Sequence, residues 1–320
     1  MLSVMRALVS LLVVGCIATA LTSCGGDAGS TGGGGEAALT AVATTTQVAD
    51  LVANVGGARV EVDGILPAGG DPHAFEPRPS DAASLTDAPV VFKSGGDLDG
   101  WLDELLDNVG ADAAVVSLID HVHTIQGGEA HAGEGIDPHW WQDPRNAILA
   151  VAAVRDALIE VDPGGRDVYR RNAAAYTRRL RRLDSEIAAC MAQVPVGQRK
   201  LVTTHDALGY FADRYDVEVV GALIPSLSTQ AQPSVEDINA LVGQIHHEGV
   251  RAIFPETAIN NKLEQAVSRE ADAEVGKPLW ADSLGPEGST GDTYLKAMAF
   301  NTEAMVDGMT AGAVSCRPKA

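Results

Sequence analysis

Apolar residues in the first half of the chain follow two different periodicities. Four short runs have the continuous or period-two pattern of buried strands, at residues 39–44, 59–66, 90–93 and 113–118. Other stretches carry apolar residues three and four positions apart, the spacing of one helix face, at residues 47–55, 98–108 and 145–160. Strands that alternate with helices predict a parallel sheet covered by helices, which is the α/β class.

One later segment is longer than the others. Residues 166–194 contain neither proline nor glycine, and Leu180, Leu183 and Ile187 repeat at helical spacing. They predict one long helix, ended by Pro195 and Gly197, whose many arginines are expected to form a solvated face. The alternation then resumes, with strands predicted at residues 200–203, 217–223, 252–254 and 278–280. The simplest architecture is two α/β lobes with central sheets, residues 37–163 and 195–320, joined by one long helix, residues 164–194.

The first residues are predicted to be a leader and not part of the fold. Arg6 is the only charge before an apolar run, residues 7–21, that is too short for an ordinary membrane-spanning helix. The run ends in Leu-Thr-Ser-Cys, which resembles a bacterial lipobox; in such signals residues 1–23 are removed and Cys24 carries lipid. A plain secretory signal with an unrelated cysteine is the alternative.

Residues 24–36 are rich in glycine and predict a flexible tether with a span of about 20 Å. Together with the lipidated cysteine, they predict an exported domain anchored to the outer face of the cytoplasmic membrane. The lipid is then its only attachment to the membrane.

Charge and cysteine content narrow the possible partners. With 23 Lys and Arg against 43 Asp and Glu, the formal net charge is −20, whereas a nucleic-acid partner requires clustered positive charge. A hydrophobic content of 46% is that of a globular protein. Cys190 and Cys316 remain in the predicted exported domain, where a pair of cysteines is a candidate disulfide. The sequence alone does not show whether these two residues meet.

Three histidines and one aspartate occupy equivalent places in the predicted fold. His73 and His139 lie in loops of the first lobe, His205 ends the first strand of the second lobe, and Asp282 closes its last predicted strand. Loops at the carboxyl ends of strands converge in open α/β sheets, so these side chains are expected to meet. Imidazole nitrogens and a carboxylate oxygen together form a tetrahedral site for a divalent metal. A single such histidine would more often be a surface or core residue.

Five motifs resemble the ZnuA/TroA-type metal-binding lipoproteins of ABC importers and occur in that family's order: DPHAFEPRPSD, FKSGGDLDGWLDELL, DPHWWQDPRNA, TTHDALGYFADRY and WADSLG. The resemblance implies two lobes joined by a rigid helix, with a metal in the cleft between them. It assigns His73 and His139 of one lobe, and His205 and Asp282 of the other, as ligands. It also implies a receptor that catalyses nothing and whose partners are a permease and its ATPase subunits. A metallochaperone is a further candidate partner, and we expect a monomer.

Two other groups of residues are candidates for contact with metal. Glu256 ends another predicted strand, and we expect it to orient a ligand from outside the site, with direct ligation as the alternative. The glycine-rich loop before His139 contains three histidines and two glutamates, and its candidate metal-capture residues are His121, His123, Glu129 and His131. Because similar loops interrupt zinc-handling members of the family, we expect a mobile metal-capture loop. A solvated insertion without a binding role is the alternative.

The predicted metal is zinc. Three imidazoles and one carboxylate suit four-coordinate Zn²⁺, and related manganese or iron receptors tend to have a carboxylate where this sequence has His205. We expect one tight zinc site with Mn²⁺ weaker by at least about tenfold, or about 1.4 kcal/mol. A manganese or iron receptor of the same family is the alternative. A zinc-dependent hydrolase is less favoured because no H-E-x-x-H-type signature is present, and an adhesin would not explain the four candidate ligands.

Overall fold

The first lobe is built around a four-stranded parallel sheet. The computed structural model describes residues 39–127 and 135–319. The strand order is β2-β1-β3-β4, with Ala41 paired to Val62 on one side and to Val90 on the other. The strands are β1 Leu39–Ala43, β2 Val60–Gly64, β3 Val90–Lys93 and β4 Ala114–Ser117. The helices of this lobe are α1 Thr46–Gly56, α2 Pro79–Thr86, α3 Trp101–Val109 and α4 Pro144–Val161.

The long helix α5, Arg166–Met191, connects the two lobes. Its buried face consists of large side chains at helical spacing, among them Tyr169, Tyr176, Leu180 and Ile187. The helix ends before the predicted residue 194. Residues 192–194 form a tighter turn, in which the amide of Val194 donates to the carbonyl of Met191. Val194 precedes Pro195, and a residue before proline is disfavoured in the helical conformation.

The second lobe repeats the strand–helix alternation with shorter strands. β5 Lys200–His205 pairs in parallel with β6 Glu218–Ile224, and β7 Ala252–Ile253 pairs in parallel with β8 Glu274–Val275. A parallel bridge between Thr203 and Phe254 joins the two pairs. The helices of this lobe are α6 Gly209–Tyr215, α7 Val235–Glu248, α8 Lys262–Ala271 and α9 Tyr294–Thr310.

The strand predicted at residues 278–280 is wrong. Leu279 makes only a single bridge, to Glu256, and the strand in this region is β8, four residues earlier. Pro278 has no backbone N–H to donate to a ladder, which prevents a regular strand there. The two residues of β8 are exposed and lack the apolar run by which a strand is recognised. Asp282 therefore follows an irregular segment and not a strand end.

Both lobes pack against α5 through one continuous apolar core. Buried side chains of this core come from both lobes and from the helix: Leu51, Phe92, Tyr176, Leu201 and Met305. A disulfide between Cys190 and Cys316, with a Cα–Cα distance of 5.5 Å, joins the end of α5 to the segment after α9. No helix within residues 39–127 and 135–319 is both long and apolar enough to cross a membrane. The predicted leader, Cys24 and the tether lie outside the described residues.

Candidate metal centre

The four predicted site residues come from four separate segments of the chain. His73 lies in a short 3-10 turn, Pro72–Ala74, that follows β2. Asp71 caps this turn, because its side-chain oxygen accepts a hydrogen bond from the backbone N–H of His73 at 2.9 Å. His139 directly precedes another 3-10 turn, Trp140–Gln142. His205 is the last residue of β5, and Asp282 lies in the loop between β8 and α9. The topology of the two sheets brings these segments to one place in the cleft.

The ligating atoms of the four side chains lie within 4.8 Å of one another. His139 Nε2 is 3.4 Å from His73 Nε2 and 3.3 Å from His205 Nε2. Asp282 Oδ2 lies 3.2 Å from His73 Nε2 and 3.1 Å from His205 Nε2, and Asp282 Oδ1 lies 3.6 Å from His139 Nε2. Three imidazole nitrogens therefore converge on both oxygens of one carboxylate.

The donor set fits a divalent transition-metal ion. Both carboxylate oxygens of Asp282 are buried, and within residues 39–127 and 135–319 neither accepts a hydrogen bond; the three imidazoles are the groups that they face. A buried carboxylate without a partner is unfavourable, and a bound cation is one way in which proteins satisfy it. Imidazole and carboxylate groups are the common ligands of zinc and of neighbouring divalent metals. His73, His139, His205 and Asp282 could together hold one such ion.

Carboxylates behind two of the histidines set their orientation. His139 Nδ1 lies 2.7 Å from Asp137 Oδ1, which also accepts the His139 amide at 2.9 Å. His205 Nδ1 lies 2.8 and 2.9 Å from the two oxygens of Glu256, and its amide donates to the same carboxylate at 3.0 Å. When Nδ1–H donates to a carboxylate, the lone pair of Nε2 points into the site. Glu256 thus lies behind His205 and outside the group of four.

His73 is the exception among the three histidines. Within the described residues, no carboxylate lies within ion-pair distance of its Nδ1, and its side chain is 7% exposed, whereas those of His139 and His205 are fully buried. It also lines a cavity of about 430 Å³ with residues of both lobes, among them Leu98 and Ser226. The centre is therefore closed on the His139 and His205 side and approaches solvent at His73.

Opposite charges outweigh burial in setting protonation at the centre. Burial lowers the pKa of His139, but the negative charges of Asp282 and Asp137 raise it by more than burial lowers it, so the pKa lies above 6.5. Burial likewise lowers the pKa of His205, whereas Glu256 and Asp282 raise it well above 6.5. Burial raises the pKa of Asp282, but the histidine charges hold it well below 3.8. Protons and a metal ion therefore compete for the same imidazole nitrogens.

Two neighbours of His139 attach the first lobe to the Asp282 loop. The indole N–H of Trp141 and the side-chain amide Nε2 of Gln142 both donate, at 2.9 Å, to the backbone carbonyl oxygen of Ala281. Trp141 in turn is held by Tyr294, whose hydroxyl donates to its carbonyl oxygen at 2.6 Å. In the sequence, Trp141 and Gln142 lie close to the candidate ligand His139. Only the fold shows that their side chains hold the loop that carries Asp282, the candidate ligand of the other lobe.

The described residues of the candidate capture loop, His121 and His123, are not part of the group of four. His121 and His123 are exposed, and the backbone of His123 exchanges hydrogen bonds with the Asn146 side chain. Glu129 and His131 lie outside the described residues, so the role of this loop stays a prediction. Within the described residues, His73, His139, His205 and Asp282 form the only cluster with metal-ligand spacing.

Comparison with known proteins decides the family. A family of sequences described as ZnuA, the periplasmic component A of a zinc-uptake complex, matches residues 41–308. The chain belongs to this family. As a ZnuA-family protein, it is the metal-binding, extracytoplasmic component of an ABC importer and not an enzyme, as the sequence predicted.

The proteins that this chain resembles include some named for manganese and one named for zinc. The manganese-binding lipoprotein MntA of Halalkalibacterium halodurans is 31% identical over 298 residues, which is 93% of this chain and 97% of the relative. The manganese-binding lipoprotein MntA of Bacillus subtilis is 33% identical over 283 residues, 86% of this chain and 90% of the relative. The periplasmic zinc-binding protein TroA from Treponema pallidum superposes with a TM-score of 0.78 at 26% identity, covering 85% of this chain and 99% of that one.

Proposed function

We propose that this protein captures one divalent transition-metal ion between His73, His139, His205 and Asp282 and delivers it to an ABC permease for import. The observation that carries the proposal is the convergence of three Nε2 atoms on a buried carboxylate that has no other partner in the part of the chain that the structure describes. The energy for transport comes from ATPase subunits of the partner complex. We also propose that lipid on Cys24 anchors the protein, since curated relatives are named lipoproteins.

We further propose that the transported cargo is manganese. Two relatives that cover most of this chain are named manganese-binding. The geometry is compatible with this, because both oxygens of Asp282 face the imidazoles and can bind together. Three nitrogens and two oxygens approach the higher coordination number that Mn²⁺ prefers. The sequence argument for zinc counted Asp282 as a single oxygen donor.

Zinc is the second candidate cargo. Three imidazoles are a zinc-like donor set, and TroA, with which the fold superposes, is named a zinc-binding protein. The Irving–Williams order also places zinc above manganese in affinity at almost any such site. Tight zinc binding in a test tube therefore does not by itself identify the cargo, and metal supply and release must be measured in cells.

The receptor role is tested by metal titration of the purified apo protein. We expect one-to-one binding of Mn²⁺ and of Zn²⁺, weakened by at least about a hundredfold in His139→Ala, because a fully buried ligand is lost. The matched control is His247→Ala, whose side chain is 85% exposed on α7. Circular dichroism of the apo variants checks the fold. Unchanged affinity in His139→Ala would overturn the site.

The cargo is tested by the metal content of cells that lack this protein. Manganese accumulation in limiting medium should fall, and native protein but not His139→Ala should restore it. Zinc content should stay within about twofold of that of the parent strain, because the proposed cargo is manganese and not zinc. A fall in zinc with unchanged manganese would assign zinc as the cargo and leave the receptor role intact.

A further inference from the structure

The outer face of α5 carries a concentration of positive charge that the metal centre does not use. Seven arginines of this helix are exposed: Arg166, Arg170, Arg171, Arg178, Arg179, Arg181 and Arg182. At about 100° per residue, five of them fall within an arc of about 120° directly opposite the buried face. These five, here called the arginine stripe, are Arg170, Arg171, Arg178, Arg181 and Arg182.

The arginine stripe is not neutralised by its surroundings. Within residues 39–127 and 135–319, none of its members has a carboxylate within ion-pair distance; Arg170 acts on Asp156 only from farther away. Of the three acids of this helix, Asp167 lies at the start of the stripe's face without an ion pair to its arginines within the described residues, and the other two are engaged elsewhere. Asp184 accepts from Arg214 at 2.8 and 2.9 Å, and Glu186 accepts from the Lys319 amide.

This arrangement is unusual for a chain with a net charge of −20. An acidic protein has many carboxylates available to pair with surface arginines, yet on this helix face five arginines stand against the single carboxylate of Asp167. Charges separated by more than about 8 Å are screened at physiological ionic strength. At contact, a partner therefore meets the local charge of the stripe and not the net charge of the molecule.

We propose that the arginine stripe rests on anionic phospholipid headgroups of the membrane to which the protein is anchored. The inference depends on the proposed lipid anchor and on the tether predicted from the sequence, which would keep the folded domain close to the membrane and so at high effective concentration. Weak attraction of each arginine to phosphate is then sufficient to orient the domain. The acidic remainder of the surface is repelled and faces away from the lipid.

The experiment measures co-sedimentation with lipid vesicles of the mature chain, residues 24–320, produced without the predicted leader. Cys24→Ser in this protein removes the site of acylation, so that neither the apolar leader nor an acyl chain can insert into the vesicles. One set of vesicles is phosphatidylcholine alone, and the other contains equal parts of phosphatidylcholine and phosphatidylglycerol. We expect binding to the anionic vesicles only, and we expect it to weaken as sodium chloride is raised.

A charge-reversal variant locates the binding face. In the triple variant Arg171→Glu, Arg178→Glu, Arg182→Glu, we expect the bound fraction to fall at least about fivefold. The matched control makes the same change in net charge on the second lobe, with the substitutions Arg251→Glu, Lys262→Glu and Arg269→Glu. These three side chains are exposed and have no ion pair within the described residues. Binding by the control variant should stay within about twofold of the parent.

Three outcomes would overturn the proposal. Absence of native binding to anionic vesicles would exclude a lipid surface, and an equal loss in both triple variants would show an effect of net charge alone. Vesicle binding unchanged by the stripe variant, with metal import reduced in cells, would assign the stripe to an acidic face of the permease. One-to-one metal titration of each variant checks the fold and separates this result from failure of the receptor role.

Discussion

At the scale of single residues, the three histidines of the centre differ in what lies behind them. Asp137 holds His139 and Glu256 holds His205 through Nδ1, whereas His73 is held mainly through its backbone amide by Asp71. A ligand whose ring is fixed by a carboxylate loses little freedom when metal binds. We therefore expect His73 to be the first of the three histidines to turn away from the centre when metal is exchanged.

Metal affinity should fall as the pH falls. His139 and His205 have pKa values raised above 6.5, despite burial, by the carboxylates around them. Only the neutral ring binds metal, so protons begin to compete above pH 6.5, and affinity drops as the pH decreases through the raised values. Between pH 8 and pH 5 we expect a loss of at least about tenfold. Titrations across this range check the prediction, and a flat profile would indicate coordination dominated by carboxylates.

Replacing His205 by Glu should narrow the difference in affinity between zinc and manganese. We expect zinc to bind the native protein at least about tenfold more tightly, and an added oxygen ligand to reduce that ratio several-fold. Because a new carboxylate would face Glu256, the change is combined with Glu256→Gln, and Glu256→Gln alone is the control. Competition titration of the apo proteins measures the ratio. An unchanged ratio would place position 205 outside the coordination sphere.

At the scale of elements, one carboxylate connects the two lobes beside the centre. Asp71 Oδ1 accepts the His73 amide at 2.9 Å, while its Oδ2 accepts the hydroxyl of Thr229 from the loop after β6 at 2.7 Å. The loops that carry His73 and Thr229 belong to opposite lobes. Separation of the lobes must therefore break this hydrogen bond, next to the most exposed of the three histidines.

Loss of the Thr229 hydroxyl should accelerate metal release. Thr229→Val keeps the shape of the side chain but cannot donate to Asp71, and we expect the dissociation rate to rise about three- to tenfold. Stopped-flow transfer of metal to a chelator measures the rate. Thr229→Ser retains the hydroxyl and should behave like the native protein. Equal rates in the two variants would show that packing, and not the hydrogen bond, is what matters.

At the scale of the whole molecule, the disulfide between Cys190 and Cys316 closes a long section of chain. The two residues are separated by 126 positions and connect α5 to the segment beyond α9, so the loop includes every strand and helix of the second lobe. Closing a long loop restricts the unfolded chain more than a short one in the chain-entropy description. The folded protein gains stability without any new contact at the metal centre.

Removal of this disulfide should destabilise the fold. For the double variant Cys190→Ala and Cys316→Ala, we expect the free energy of unfolding to fall by about 2–4 kcal/mol. Urea denaturation of the apo proteins measures the difference, with the native protein under reducing conditions as a second form that lacks the bond. Equal stability of the native and double-variant proteins would contradict the prediction.

The sequence by itself determined the features that depend on local pattern. Strand β3 has the predicted bounds, residues 90–93, because an unbroken apolar run is sufficient to specify a buried strand. Helix α5 and the two-lobe α/β class follow from periodicity and from the order of elements. The motifs around His73, His139, His205 and Asp282 identified the family.

Only the tertiary structure decided what depends on distance between remote segments. The sequence predicted that Glu256 would orient a ligand, but only folding showed that this ligand is His205 and that Asp137 stands behind His139. The pairing of Cys190 with Cys316 and the contact of Trp141 with Ala281 likewise join residues more than a hundred positions apart. β8 escaped sequence reasoning because its two residues are exposed and carry no apolar signal. Local pattern determines elements, whereas the site is created by the way in which those elements pack.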